Sequence, residues 1–161
     1  MLEDLIEGWD GEETVIRFDR PSGAWIFVCV HSTVRGPAGG GTRMAVYQAP
    51  ADGLADAMRL SAAMTRKMAV LGMPFGGAKA VLAVPELPAG EERRGLLLRY
   101  GDLVASLGGT FRTGADMNTA ETRANKISDE CARSRTPNRL PNGSDPLTSQ
   151  ISGLVVPLWS R

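Results

Sequence analysis

Lys67 and Lys79 flank one apolar, glycine-rich stretch, MTRKMAVLGMPFGGAKAVLAV, in a chain whose other cationic residues are arginine except for Lys126. The skew is informative because arginine serves almost any ion-pair duty, whereas lysine is the cation whose pKa burial can drive down. Between Met68 and Pro85 the only formal charge is Lys79, with Val81, Leu82, Ala83 and Val84 behind it. An ammonium in such a segment must find a partner, reach water or give up its proton. The last outcome makes a base usable near neutral pH. The plainer reading is a basic side chain at a loop edge, its stem lying over apolar surface.

Other groups converge on the same chemistry. Gly39, Gly40 and Gly41 in succession bare backbone N–H groups that can cradle a carboxylate or phosphate, although glycine runs are more often simple turns. Met64 and Lys67 lie three apart and so share a helix face, where a methionine is more often plain core. Asp116 is the only acid between Asp102 and Glu121; taken alone, it reads as a turn or a helix cap. Two lysines, an acid and bare amides suit a substrate that carries both a carboxylate and an amine.

The elements that must position these groups follow from periodicity. Residues 13–20 alternate and read as an exposed strand, Pro21-Ser22-Gly23 is turn chemistry, and residues 24–30 are aromatic and β-branched, so the two runs are expected to pair as a hairpin. The glycine-rich segment RGPAGGGTRMAVY leads into a short strand over 43–47. Asp52 is the expected N-cap of a helix reaching about residue 70, with Leu54, Met58, Ala62, Thr65 and Ala69 on one stripe. Residues 78–84 read as a buried strand, 91–107 as a second helix ended by Gly108-Gly109, and 110–113 as a short strand leading into GADMNT. The expected fold class is α/β: a mainly parallel mixed sheet with an N-terminal antiparallel hairpin and flanking helices. Ligands of such sheets sit beyond the carboxyl ends of the strands, where residues 114–118 fall.

Composition narrows the function. With 18 basic and 18 acidic residues in 161, there is no basic field to hold nucleic acid or an anionic membrane. The start, MLEDLIEGWDGEE, is acidic and has no apolar core of a signal peptide. No apolar run approaches the ~18 residues of a membrane span. Cys29, Cys131 and the single His31 are too few for a disulfide framework or a closed zinc site, so no metal is expected. A cytoplasmic protein is the expectation. Residues 119–161 differ in composition and form a divergent tail, expected to be poorly ordered, that ends on the apolar run LVVPLW.

The motifs GPAGGGTRM, MTRKMAVLGMPFGGAKAVL and TGADMNT, in that order and spacing, resemble the N-terminal substrate and dimerisation domain of the glutamate/leucine/phenylalanine/valine dehydrogenase family. The look is that of the leucine, phenylalanine and valine branch, over about residues 10–119. The resemblance implies reversible oxidative deamination of an L-amino acid to its 2-oxo acid and ammonia, with NAD or NADP. It makes Lys79 the catalytic lysine that polarises the carbonyl and activates water. Asp116 becomes the group that exchanges protons with the amine. Lys67, with the Gly40-Gly41 backbone, would hold the substrate carboxylate, and Met64 would touch the substrate beside it. A charged Lys67 near Lys79 would further favour the neutral amine of the latter. The expected organisation is a substrate and dimerisation domain over 1–118 and the tail over 119–161. No GxGxxG stands in a strand-to-helix setting, and the 42 residues after Thr119 (161 − 119) cannot build a βαβαβ unit, so a Rossmann domain is expected to be absent. The break at 119 reads as a truncated or frame-shifted product or a diverged end. The expected partners are an amino acid or 2-oxo acid and another copy of the chain or a full-length relative. Such a chain, by itself, is expected to be inactive, and leucine, valine and phenylalanine all remain open as substrates.

Overall fold

A computed structural model describes residues 2–119; the expectations for the tail fall outside them. The chain begins with a short helix, α1 (Leu2–Glu7), and then enters the expected hairpin, β1 (Glu13–Asp19) and β2 (Ala24–Ser32). Thereafter come β3 (Ala38–Val46), α2 (Pro50–Val70), β4 (Gly76–Val84), α3 (Gly90–Ser106) and β5 (Phe111–Ala115). The sheet order is β1-β2-β4-β3-β5. β1–β2 and β2–β4 pair antiparallel, while β3 pairs in parallel with both β4 and β5. Only β2 therefore runs against the other four strands.

The largest departure from expectation is the triple glycine. It lies inside β3, not in a loop before it, and Gly39, Gly40 and Gly41 take part in the ladder with β5, opposite Arg112, Thr113 and Gly114. Lacking side chains, the glycines allow β3 to fit closely between its neighbours: a Cβ on Gly40 would stand 1.7 Å from the Ala78 carbonyl oxygen. The N-terminus of α2 is also one turn-fraction earlier than Asp52. Pro50, whose fixed φ suits the first helical position, opens the helix after Ala49, and Asp52 instead accepts the Ala49 N–H at 3.0 Å from within the first turn.

The crossovers β3–α2–β4 and β4–α3–β5 place the two helices on opposite faces. Alternation along β4 divides its wholly buried residues. Ala78, Ala80, Leu82 and Val84 pack with Leu96, Leu97, Tyr100, Leu103 and Val104 of α3. Val81 and Ala83 pack with Phe27, Cys29 and the α2 residues Leu54, Ala57 and Met58. Each large side chain so buried contributes about 1.5–3 kcal/mol. The α2 contact is close because small residues meet there: a Cβ on Gly77 would lie 2.1 Å from the Thr65 backbone nitrogen. α2 lies over β2 and β4 and touches β3 only slightly. The β3–β5 part of that face is therefore left uncovered by α2, and this is where the candidate site lies.

α1, which the sequence pattern did not announce, is tied in by the residues after it: Trp9 donates its indole N–H to the Met58 carbonyl at 2.8 Å. At the other end of the sheet Asp19, buried at the close of β1, accepts two bonds from the Arg99 guanidinium of α3, at 2.6 and 2.7 Å. The Arg99 hydrogen bonds hold its carboxyl below the usual range, against the opposing effect of burial. A depressed carboxylate pKa adds stability above the unfolded-state value of about 3.9, and that stability is lost as pH falls through the native value. Asp19→Asn is therefore expected to cost about 1–3 kcal/mol at pH 7 and to flatten the acid limb of the stability curve. Urea midpoints between pH 7 and pH 2 measure this; an unchanged acid limb would dismiss the tether.

Candidate functional site

Lys79 is the fourth residue of β4 and projects to the α2 face with Val81 and Ala83. It is only 6% exposed, and its Nζ donates to Asp116 Oδ2 at 2.5 Å. Asp116 reaches it because β5 is short. Its last residue, Ala115, stands opposite Thr42, midway along β3, so the following turn folds onto the sheet face. The pair thus lies on the face at mid-height, not beyond the carboxyl ends of the longer strands.

The turn is held rigidly. Asn118 adopts the left-handed conformation (φ 59°) and donates its side-chain amide to the Met44 carbonyl at 3.0 Å. Thr119 Oγ1 donates to the Thr42 carbonyl at 2.6 Å and accepts the Asp116 N–H at 2.9 Å. On the opposite face, Thr42, Tyr100 and Thr113 share a buried hydroxyl cluster that pins β3, α3 and β5 together. Asp116 is therefore positioned by the backbone of β3.

Burial, ahead of the opposing pull of Asp116, lowers the Lys79 pKa from its ordinary value. Lys67 was the expected neighbouring cation. The cation that acts on Lys79 is instead Arg43 of β3, whose Nε is 3.5 Å from the same Asp116 oxygen. Arg43 also donates from Nη1 to Asp56 Oδ2 of α2 at 2.8 Å. Asp56 in turn accepts from Tyr47 Oη at 2.8 Å and Arg59 Nη2 at 2.7 Å. Burial followed by the Asp56 bond pushes the Tyr47 hydroxyl up to about 12, so it donates throughout the physiological range. The Arg43–Asp56 element escaped the sequence reading because neither residue has an unusual type or setting.

The glycines serve the site through what they lack. A Cβ on Gly41 would meet Asp116 Cβ at 3.0 Å and Lys79 Nζ at 3.1 Å, and one on Gly39 would meet Met68 Cε at 3.1 Å. Gly41 therefore keeps clear the space next to the Lys79–Asp116 pair, while Gly39 lets Met68 lie close on the strand. Met64 and Lys67, half-buried on α2, share a flank of the helix one turn apart. Thr65 and Met68 of the same turn lie against Gly77 and Gly39. The structure thus brings Lys79, Asp116 and Gly41 into contact, with Gly40 in the strand beside them and Met64 and Lys67 on the adjoining helix.

The chemistry available is that of a buried amine and a carboxylate sharing a proton beside an open, side-chain-free floor, with a second amine on the adjoining helix. The described residues do not fit a dinucleotide. The two strand-to-helix turns, 47–49 and 85–89, have no glycine fingerprint, and the second contains Pro85 and Pro88. No group of three His, Cys, Asp or Glu able to hold a metal ion occurs among the described residues. Nor is any described helix long and apolar enough to cross a membrane.

Comparison with known proteins gives a consistent picture. The family described as Glu/Leu/Phe/Val dehydrogenase, dimerisation domain, matches residues 19–133. The valine dehydrogenase of Streptomyces coelicolor is 42% identical over 121 residues, 74% of this chain and 32% of that protein. The phenylalanine dehydrogenase of Lysinibacillus sphaericus is 38% identical over 118 residues, 73% of this chain and 30% of that protein. The crystal structure of L-tryptophan dehydrogenase from Nostoc punctiforme superposes with a TM-score of 0.66 at 31% identity, covering 80% of this chain and 36% of that one. The chain spans about a third of the length of the curated relatives it matches.

Proposed function

The chain belongs to the Glu/Leu/Phe/Val dehydrogenase family, and on that premise we propose that it supplies the substrate side of an NAD(P)-dependent L-amino acid dehydrogenase. The observation that carries the reading is the buried Lys79 amine, 2.5 Å from Asp116 and with its pKa lowered by burial, over a glycine floor. Lys67 holds the substrate carboxylate, assisted by the Gly40-Gly41 backbone, and Met64 lines the carboxylate end. Asp116 takes and returns the proton of the amino group. Lys79 polarises the carbonyl and orients the water exchanged at the same carbon, where its lowered proton affinity lets it act in both directions. The nicotinamide supplies hydride transfer, and the described residues offer no place for it.

Lys67 and the strand backbone are independent of the cofactor, so a polypeptide of these 161 residues is expected to bind branched or aromatic 2-oxo acids weakly. Lys67→Ala is expected to weaken that binding by about tenfold or more, the effect of losing one charge-assisted hydrogen bond. Calorimetric titration with 2-oxoisovalerate checks it. Equal affinity in the variant would remove Lys67 from the site.

Association with a second copy, or with a full-length relative, is the second reading. A specific observation favours it: β1 is an edge strand, and Ile16 and Phe18 on it and Trp25 on β2 are exposed, with Phe18 and Trp25 in ring contact. Light scattering distinguishes the two, since a strictly monomeric polypeptide at all concentrations would exclude self-association.

A further inference from the structure

We propose that Arg43 is a positioning residue whose open Nε–H is a second seat for the Asp116 carboxylate, so that Asp116 can pass between Lys79 and Arg43 without leaving the site. The proposal rests on the catalytic reading of Lys79 and Asp116 and adds to it a residue and a motion that the reading does not require.

Three features of the geometry support it. Arg43 Nε is buried and has no hydrogen-bond acceptor among the described residues, a state that natural structures avoid unless the donor has a use. Asp116 Oδ2 lies 3.5 Å from it, the same oxygen that Lys79 Nζ holds at 2.5 Å. A shift of well under the width of an atom would complete the Arg43 bond and lengthen the Lys79 one. The guanidinium itself does not follow, because Asp56 fixes its Nη1 at 2.8 Å and is itself fixed by Tyr47 and Arg59.

The consequence is chemical. The bond from Lys79 to Asp116 favours the ammonium form of Lys79; with Asp116 drawn towards Arg43 that support weakens, and the Lys79 amine gives up its proton more readily. Arginine suits the second seat because it stays protonated whatever happens beside it. Burial opposes the Arg43 charge, but Asp56 and then Asp116 outweigh it and raise its pKa further.

The groups facing Lys79 are Asp116 from the turn after β5, Arg43 from β3, Asp56 from α2 and Cys29, its register neighbour on β2. Burial pushes the Cys29 thiol up to about 12, so it stays neutral. Lys67 on α2 is unchanged in every variant below. Titration of the Lys79 side chain by lysine-labelled NMR, on the 161-residue polypeptide, is the test, since only three lysines must be assigned.

Arg43→Gln removes the second seat and a cation, confining Asp116 to Lys79, and the Lys79 midpoint is expected to rise. Asp56→Asn removes an anion and frees Arg43 to draw Asp116 away, and the midpoint is expected to fall. Arg43→Lys, which keeps the charge, is expected to lie between wild type and Arg43→Gln. A merely structural role would loosen the site in both variants and move both midpoints upward, towards that of ordinary lysine. Shifts of the same sign, or none, would overturn the proposal. If Arg43→Gln does not fold, as judged by circular dichroism, Asp56→Asn decides alone, and a rise or no change there refutes it. Failure of the polypeptide to bind 2-oxo acids would instead overturn the catalytic reading, leaving the opposite-sign response of Lys79 intact.

Discussion

Lys79→Ala is expected to lower kcat by about 10²–10⁴-fold in an enzyme assembled from this chain and the cofactor-binding part of a valine dehydrogenase. Lys79 lies buried on β4 at 2.5 Å from Asp116, whereas the single imidazole, His31 of β2, is engaged with Thr65 of α2. Asp116→Asn is expected to lose a similar factor, and the double variant little more, because residues that move one proton act as a unit. On the proposed reading Lys67→Ala differs in kind: it removes an anchor for the carboxylate and should raise KM strongly. The pH profile should follow the lowered proton affinity of Lys79, with turnover rising at lower pH than an ordinary lysine would give. The 161-residue polypeptide by itself provides the reference state and should remain at background absorbance change with NAD. Positioning the two reactants is worth up to ~7–11 kcal/mol, and the described residues hold only one of them. A Lys79→Ala enzyme within fivefold of wild type would end the assignment.

Gly40→Ala is expected to destabilise the domain by about 3 kcal/mol or more, at the upper end of overpacking effects. The added Cβ would stand 1.7 Å from the Ala78 carbonyl oxygen and 2.6 Å from its carbon. Both are backbone atoms of the wholly buried β4, so they cannot turn aside as a side-chain tip would. Relief requires β3 to separate from β4 or β5, which costs ladder hydrogen bonds. Gly41→Ala offers the contrast. Its Cβ would meet Lys79 Nζ, the movable end of a side chain, at 3.1 Å and Asp116 Cβ at 3.0 Å, contacts relieved by a few tenths of an ångström, so stability should fall by less than about 1.5 kcal/mol while the site is crowded. Urea unfolding of both variants separates the two effects. A Gly40→Ala midpoint equal to that of wild type would contradict the placement of the glycine run inside β3.

That placement marks where local sequence reasoning stops. The hairpin was legible because alternation over 13–20 and the Pro21-Ser22-Gly23 turn are local signals, and both helices were legible from their stripes. Gly39-Gly40-Gly41 gave a local signal for a loop. Its strand conformation is imposed by β4 on one side and β5 on the other, partners that a local window does not contain. α1 is six residues long, too short for a period to show, and its anchor is the distant contact of Trp9 with Met58. Lys79 and Asp116 were singled out by type, isolation and family motif, but their 2.5 Å contact depends on β5 ending at mid-sheet. Arg43 and Asp56 left no trace in the sequence because an ion pair between a strand and the next helix has no fixed spacing. What tunes the site is thus less legible than what occupies it.

On the proposed reading Lys79 is a tuned acid–base group and not an ordinary buried cation. Direct titration of its side chain by NMR, on the wild-type polypeptide with and without a saturating 2-oxo acid, measures this most directly. The expected result is a midpoint below that of a free lysine side chain, because burial lowers it, and a change in that midpoint when the 2-oxo acid binds. A midpoint at or above that of free lysine, unaffected by ligand, would contradict the assignment of Lys79.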